Sequence, residues 1–168
     1  AHSSHGDTPL HLAADSGHVE VLLALLEGGA TLDARNNWQA TPLQRASARQ
    51  MDKAAAVLLE RGADVNVRER EFIPVGEERL PYSRAGFTPL HRAAIGHNKD
   101  LVDLLLSYGA DPDAQDEAGR TPQDLARTQG SVLDALEWHR KRQWIKFGGV
   151  AALTAIALPI VLGRARVR

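Results

Sequence analysis

The sequence predicts an all-α fold, a solenoid of four helix-turn-helix repeats, because two different residue pairs recur in one register. A Thr-Pro pair occurs four times, with prolines at positions 9, 42, 89 and 122, so the first and last intervals are equal and the middle one is longer. A Gly-Ala pair begins at positions 29, 62 and 109 and repeats the first two of these intervals. The intervals between Thr-Pro pairs and those between Gly-Ala pairs lengthen at the same place and by the same amount. One insertion therefore interrupts a constant period of about 33 residues.

Each repeat is expected to hold two helices joined by a tight turn, and the first repeat shows this pattern most fully. The Thr8 hydroxyl can cap the first helix, and Pro9 suits the first helical position, where an N–H would be unpaired. Gly17-His18 predicts the turn, and Gly28-Gly29 the end of the second helix. The second helix spans Val19 to Leu26, with apolar residues at helical spacing: Val21, Leu22, Leu25 and Leu26.

The later repeats keep this plan with local changes. The second repeat extends from Gln39 to Val67 and has Gln44 where the first has His11. The fourth has a less apolar second helix, Val132 to Trp138, which suits a terminal repeat with a polar outer face. The third repeat, Gly86 to Ala114, is expected to bury one face of its second helix, formed by Leu101, Val102, Leu104, Leu105 and Leu106. Turns are expected near Gly17, Gln50, His97 and Gly130.

The stretch Thr-Pro-Leu-His-Leu-Ala-Ala at residues 8–14, with its near copy at residues 88–94, resembles the signature of ankyrin-repeat proteins. The resemblance covers about residues 6–136. It implies that His11 and His91 are structural residues whose hydrogen bonds link neighbouring repeats. It also implies a concave recognition surface of loop tips and first-helix residues: Asn36, Asn37, Trp38, Arg45, Arg49, Arg92, Ile95, Glu117 and Arg120.

Trp38 is the strongest candidate for a partner contact on this surface, because it occupies a loop tip where a polar residue would suffice. Tryptophan and arginine are enriched among the residues that dominate binding energy at interfaces. The expected partner contacts of the repeats are therefore Trp38, Arg45, Arg49, Arg92 and Ile95. The alternative for Trp38 is that it packs against the chain's own insertion loop.

The insertion lies within residues 68–85, and its charges and two prolines are typical of a solvated loop. It also contains five apolar or aromatic residues, which is unusual for such a loop: Phe72, Ile73, Val75, Leu80 and Tyr82. Exposed apolar patches often mark interaction sites, and insertions in arrays of this kind often lie on the binding face. Two interpretations remain, a solvated loop or a finger whose Phe72, Ile73 and Tyr82 contact a partner.

The last segment, residues 139–168, differs from the repeats. Residues 147–163 form a run without a charge, flanked by basic residues. With Trp144 included, this run approaches the ~20 residues that a membrane-spanning helix needs, and it predicts one such helix from Trp144 to Gly163. The alternative is a helix docked on the repeats. The residues expected to contact lipid or a neighbouring helix are Trp144, Phe147, Gly148, Ala151, Ala152, Ala155 and Pro159.

Composition narrows the function classes. The chain has no cysteine, so it has neither a disulfide framework nor a thiolate site. Residues 1–138 carry 13 Lys or Arg against 21 Asp or Glu, and residues 139–168 carry seven basic and no acidic residues. An acidic repeat region argues against nucleic acid as its partner. No nucleophile elbow, phosphate loop or metalloprotease motif occurs, and His2 with His5 alone make a weak metal site. Neither a catalytic residue nor a cofactor is expected.

These observations predict an N-terminal extension of residues 1–5, a repeat domain of residues 6–138 and a membrane tail of residues 139–168. The predicted function is a non-enzymatic protein-interaction module anchored in a membrane. It would be an accessory or scaffold subunit of an organellar complex, such as a respiratory or photosynthetic assembly. The mitochondrial inner membrane is favoured, with the thylakoid or endoplasmic reticulum as other locations. The alternative is an adaptor or chaperone for membrane-protein clients, peripheral or tail-anchored.

Overall fold

The computed structural model describes residues 5–70, 85–126 and 130–148. These residues form α-helices connected by turns and loops, without a strand in any of the three ranges. The all-α prediction is therefore confirmed. The helices are α1 (Pro9–Ser16), α2 (Val19–Glu27), α3 (Pro42–Ala48), α4 (Asp52–Glu60), α5 (Pro89–Ile95), α6 (Lys99–Ser107), α7 (Pro122–Leu125) and α8 (Gly130–Gly148).

The helices stack in two layers. The first helices of successive repeats pack in the order α1, α3, α5 and α7, and the second helices pack in the order α2, α4, α6 and α8. A continuous apolar core lies between the layers, and Leu22, Leu58 and Leu105 of the second helices are fully buried in it. The sequence overestimated burial at one position of the predicted buried face of α6, because Leu104 is only partly buried. Only one face of an amphipathic helix can meet the core.

The repeated threonines cap the first helices as expected. In each repeat, the threonine hydroxyl accepts a backbone N–H from the third helical residue, whose side chain accepts the threonine N–H in return. The predicted turns are also observed, since Gly17, Gln50 and His97 have positive φ angles of 70°, 59° and 55°. The predicted turn near Gly130 lies beside residues 127–129, which are outside the described residues, and α8 begins at Gly130.

Buried side chains at the third position of the first helices link each repeat to the next. His11 Nδ1 accepts the N–H of Thr8 at 3.1 Å, and its Nε2 lies 2.9 Å from the carbonyl oxygen of Ala40. His91 repeats this arrangement with Thr88 and the carbonyl of Arg120. The Nδ1 that accepts cannot carry a proton, so each ring is neutral and donates from Nε2. The structural role expected for both histidines is confirmed.

Acidification is expected to destabilise the fold through these two rings. Burial lowers the pKa of His11 and His91 below the usual 6.5, and the facing carbonyls only partly oppose this. The unfolded chain therefore binds protons more readily, so stability is fully present above pH ~6.5 and is lost as the pH falls towards the lowered pKa. The His11→Gln/His91→Gln variant should show a flatter dependence. Gln44 already fills this position in the second repeat, and it remains uncharged.

The measurement is the free energy of unfolding in urea between about pH 7.5 and about pH 5.5, a range dominated by histidine titration. His139, whose pKa burial also lowers, is unchanged in both proteins, so its contribution cancels. An equally steep loss of stability in the double variant would show that His11 and His91 do not cause it.

The loop that carries the insertion closes like the loops without one. Asn36 N–H donates to the Ala40 carbonyl at 3.1 Å, and at the equivalent register position of the next repeat Glu69 N–H donates to Phe87 O at 2.9 Å. Gly86 N–H also donates to Glu69 O, at 2.7 Å. Residues 71–84, which include Phe72, Ile73 and Tyr82, lie outside the described residues. In the repeat register, residues 70 and 85 occupy positions that are adjacent in the other repeats, so residues 71–84 have no counterpart there.

Deleting residues 71–84 is therefore expected to leave the repeat stack folded. Joining Arg70 to Ala85 restores the repeat period and keeps the two hydrogen bonds between Glu69 and the 86–87 segment. Shortening a loop also lowers its closure entropy cost, so the unfolding free energy should stay within about 1 kcal/mol of the parent. Thermal unfolding followed by circular dichroism tests this. Loss of the cooperative transition would mean that the insertion is part of the folded core.

The predicted single-pass membrane topology is wrong. Within the three described ranges, no helix combines the length and apolar content needed to cross a bilayer. The longest of these helices, α8, does not stop at Trp138 as expected but continues through Trp144 and Phe147 to Gly148. It carries six charged residues: Asp134, Glu137, Arg140, Lys141, Arg142 and Lys146. Charged side chains at this density are costly in a bilayer. Ala151, Ala152, Ala155 and Pro159 lie outside the described residues.

Candidate functional site

The five described residues predicted to contact a partner line one groove of about 760 Å³ along α3 and α5. We call it the α3–α5 groove. The lining residues described by the structure are Trp38, Ala40, Gln44, Arg45, Ala48, Arg49, Gln50, Glu69, Arg70, Arg92, Ile95 and Gly96. The sequence placed Trp38, Arg45, Arg49, Arg92 and Ile95 on one surface, and the structure brings them together in this groove. Their contact with a partner stays a prediction.

Two apolar side chains of the groove are available to a ligand. Trp38 is 38% exposed, and Ile95, the last residue of α5, is 44% exposed. The Trp38 ring stacks on His5 with centroids 4.8 Å apart, and the Arg45 guanidinium lies 6.0 Å from its centroid. These contacts fix the orientation of the ring. A partly exposed aromatic ring held in place loses little entropy on binding.

Asn36 holds Trp38 in position. It was predicted to lie on the recognition surface, but its side chain is turned into the protein. Its Oδ1 accepts the N–H groups of Trp38 and Ala40 at 3.0 Å each, and its Nδ2 donates to Asp7 at 2.8 Å. Asn36 is only 2% exposed. It therefore holds the loop instead of meeting a partner. A short side chain that caps its own turn is common at such positions.

Arg45 of α3 and Arg49, which caps the C-terminal end of α3, share one carboxylate of α1. The terminal nitrogen of Arg45 lies 2.8 Å from Asp15, and the Nε of Arg49 lies 3.1 Å from the same oxygen. The Arg49 side chain is 60% exposed, so water and salt screen its pairing with Asp15. Two guanidinium groups on one carboxylate leave this end of the groove positively charged.

Arg92 differs from the other predicted arginines because it is largely occupied within the protein. Its guanidinium donates to both carboxylate oxygens of Glu69, with Nε to Oε1 at 3.0 Å, and it lies over the Phe87 ring at 5.3 Å. The Arg92 and Glu69 side chains are 15% and 7% exposed. Glu69 was not among the residues predicted for this surface. Its position in the repeat could have indicated it, because Asn36 and Asp116 occupy the same position in the neighbouring repeats.

Three further predicted surface residues lie outside the described lining of the groove. Asn37 donates its N–H to the His5 carbonyl at 3.1 Å. Glu117 donates its N–H to the Ala85 carbonyl at 3.0 Å, in the loop before α7. Arg120 pairs with Asp116 at 2.7 Å, and its carbonyl faces His91.

The described lining of the groove has a mixed chemical character. It contains arginines, amides, one carboxylate and two exposed apolar side chains. It includes no serine, cysteine or histidine that could act as a nucleophile or a proton carrier. In the three described ranges, no group of three or more His, Cys, Asp or Glu residues has the arrangement to hold a metal ion.

Comparisons with known proteins agree with the repeat pattern. A family model described as "Ankyrin repeats (3 copies)" matches residues 1–69, and one described as "Ankyrin repeat" matches residues 85–117. Ankyrin repeat and SOCS box protein 16 of Mus musculus is 35% identical over 139 residues, which cover 78% of this chain and 27% of that protein.

Two further relatives show the same local similarity. Transient receptor potential cation channel subfamily A member 1 homolog of Caenorhabditis elegans is 33% identical over 72% of this chain and 9% of its own length. E3 ubiquitin-protein ligase KEG of Arabidopsis thaliana is 31% identical over 85% of this chain and 8% of its own length. The chain thus spans about a quarter or less of these three relatives.

Proposed function

The chain belongs to the ankyrin-repeat family, and from that premise we propose that it is a non-catalytic interaction module that holds a protein partner in the α3–α5 groove. The observation that carries this proposal is the grouping of Trp38 and Ile95 with several arginines in one concavity. Such a combination of aromatic, aliphatic and guanidinium groups is typical of the centre of protein interfaces.

The relatives' names support an interaction role over a shared chemical activity. They include a SOCS box protein, a cation channel homolog and a ubiquitin ligase, which have no single reaction in common. What these proteins share with this chain is the matched repeat region. The same repeat fold can carry many binding specificities, so the partner must be inferred from the groove and not from the fold.

The Trp38→Ala variant tests the proposal. Quantitative affinity purification from extract of the source organism should recover partners with the parent protein and lose them with this variant. The expected weakening is about 30-fold or more, because an interface tryptophan often contributes about 2 kcal/mol or more. Val21→Ala is the matched control, since Val21 is also exposed but lies on α2, outside the groove. Equal recovery of partners by Trp38→Ala and the parent would contradict the proposal.

A further inference from the structure

The α3–α5 groove is basic, although residues 1–138 carry an excess of eight acidic residues. Four arginines line it: Arg45, Arg49, Arg70 and Arg92. The carboxylates that the structure pairs with them are Asp15 and Glu69. The groove is therefore a local positive site in an acidic repeat region. A concave site of one charge sign attracts ligand groups of the opposite sign.

Most of the accessible groups in the groove that can still form a hydrogen bond are donors. Arg92 donates to Glu69 through Nε and one terminal nitrogen, whereas Arg49 is 60% exposed and contacts Asp15 through Nε. Arg45 pairs with Asp15 through one terminal nitrogen; its Nε has no partner but is buried and so is not open to a ligand, and the same holds for the acceptor Oε1 of Gln50. Arg70 is exposed, and none of the described carboxylates lies within ion-pair distance of it. A ligand rich in acceptors would use these donors.

Apolar and basic groups alternate in the groove. Trp38 adjoins Arg45, and the N–H of Arg70 donates to the Trp38 carbonyl at 3.3 Å. Ile95 lines the same groove from α5. A ligand that satisfies both kinds of group must carry negative charges close to a large apolar side chain.

We propose that the groove binds an acidic peptide segment of a partner protein. Asp or Glu side chains of that segment pair with Arg49 and Arg70, and a neighbouring apolar side chain packs on Trp38 and Ile95. Arginine suits this role because its planar guanidinium can donate two parallel hydrogen bonds to one carboxylate. This inference rests on the proposed function and names the chemical class of the partner.

The distribution of charge favours a peptide over a nucleic acid. A nucleic acid strand carries a phosphate about every 3.4 Å, so it needs a continuous basic surface along its path. Here Asp15 and Glu69 lie among the arginines, and the repeat region around the groove is acidic. A short peptide can place a few carboxylates against Arg49 and Arg70 without extending over the acidic surface.

The experiment uses the full chain and a fluorescein-labelled random copolymer of Glu and Tyr, with binding followed by fluorescence anisotropy. We expect saturable binding that weakens as the ionic strength rises from about 0.05 M to about 0.5 M. The Arg49→Glu/Arg70→Glu variant should bind at least about tenfold more weakly. Arg61→Glu is the matched control, because Arg61 is an exposed arginine at the end of α4 and outside the groove. The Arg49→Gln/Arg70→Gln variant repeats the test without introducing repulsion, should the charge reversal unfold the protein.

Three results would overturn the acidic-peptide assignment. They are equal binding by the charge-reversed and parent proteins, equal binding of a Lys–Tyr copolymer, and tighter binding of a single-stranded oligonucleotide than of the Glu–Tyr copolymer. A separate comparison tests the underlying function. If partner recovery is lost with Trp38→Ala but kept with Arg49→Glu/Arg70→Glu, the groove is an interaction site and its partner is not acidic. If both variants keep all partners, the proposed function fails as well.

Discussion

Replacing Leu105 by Ala is expected to lower the free energy of unfolding by about 2–5 kcal/mol. Leu105 lies on α6 and is 0% exposed. α6 packs against α4, α5 and α8, so a cavity at this point weakens the contacts of three helices. In a linear stack each repeat is stabilised by its neighbours, and damage to an interior repeat removes support on both sides.

Urea unfolding followed by far-ultraviolet circular dichroism measures this cost. Leu12→Ala is the matched control, because it removes the same atoms from a leucine that is 48% exposed on α1. The control should cost less than about 1 kcal/mol, as most surface substitutions do. Equal costs for the two variants would show that Leu105 does not contribute more to the core than Leu12 does.

The repeat architecture could be predicted from sequence because its determinants are local. A threonine and the residue three positions later form the capping box within one turn of helix, so their spacing is visible in the chain. The turn at Gln50 was also predicted, although its positive φ angle is uncommon for a residue other than glycine. The constant repeat register transferred that expectation from Gly17 to Gln50.

The groove could be predicted only in part, because the direction of long side chains depends on contacts between distant residues. The register placed Arg92 on the recognition surface, but not its pairing with Glu69, which lies before the insertion in the chain. It also placed Asn36 on that surface, although the side chain turns inward to Asp7. The sequence predicted a boundary between the fourth repeat and the tail at residues 138–139, but α8 continues across that boundary to Gly148.

Replacing Gln44 by Leu is expected to have the second large effect, a loss of about 2–5 kcal/mol of unfolding free energy, because it removes several buried hydrogen bonds at once. Gln44 is 0% exposed, and its Oε1 accepts the Thr41 N–H at 2.9 Å. Its Nε2 donates to the carbonyls of Val67 and Phe87 at 2.9 and 3.0 Å. Leucine removes these bonds and leaves the Thr41 N–H and the Val67 carbonyl unpaired, each of which costs about 1–3 kcal/mol, whereas the Phe87 carbonyl still accepts the Glu69 N–H.

The two N–H donors of Gln44 explain why glutamine suits the repeat that carries the insertion. Val67 and Phe87 lie on the two sides of the inserted residues, and one amide nitrogen binds both carbonyls. A neutral imidazole has a single N–H, which His11 directs to Ala40 and His91 to Arg120. Gln44 therefore ties together the two chain segments between which residues 71–84 are inserted.

The variants Gln44→Leu and Gln44→His distinguish hydrogen bonding from side-chain volume. Gln44→His should recover most of the lost stability near neutral pH, because the ring can accept from Thr41 and donate to one carbonyl. Ser47→Ala is the control: Ser47 is also fully buried on α3, but its hydroxyl makes one bond, to the Leu43 carbonyl, so removal should cost about 1 kcal/mol. Urea unfolding at neutral pH gives all three values. If Gln44→Leu costs no more than Ser47→Ala, the link across the insertion does not stabilise the stack.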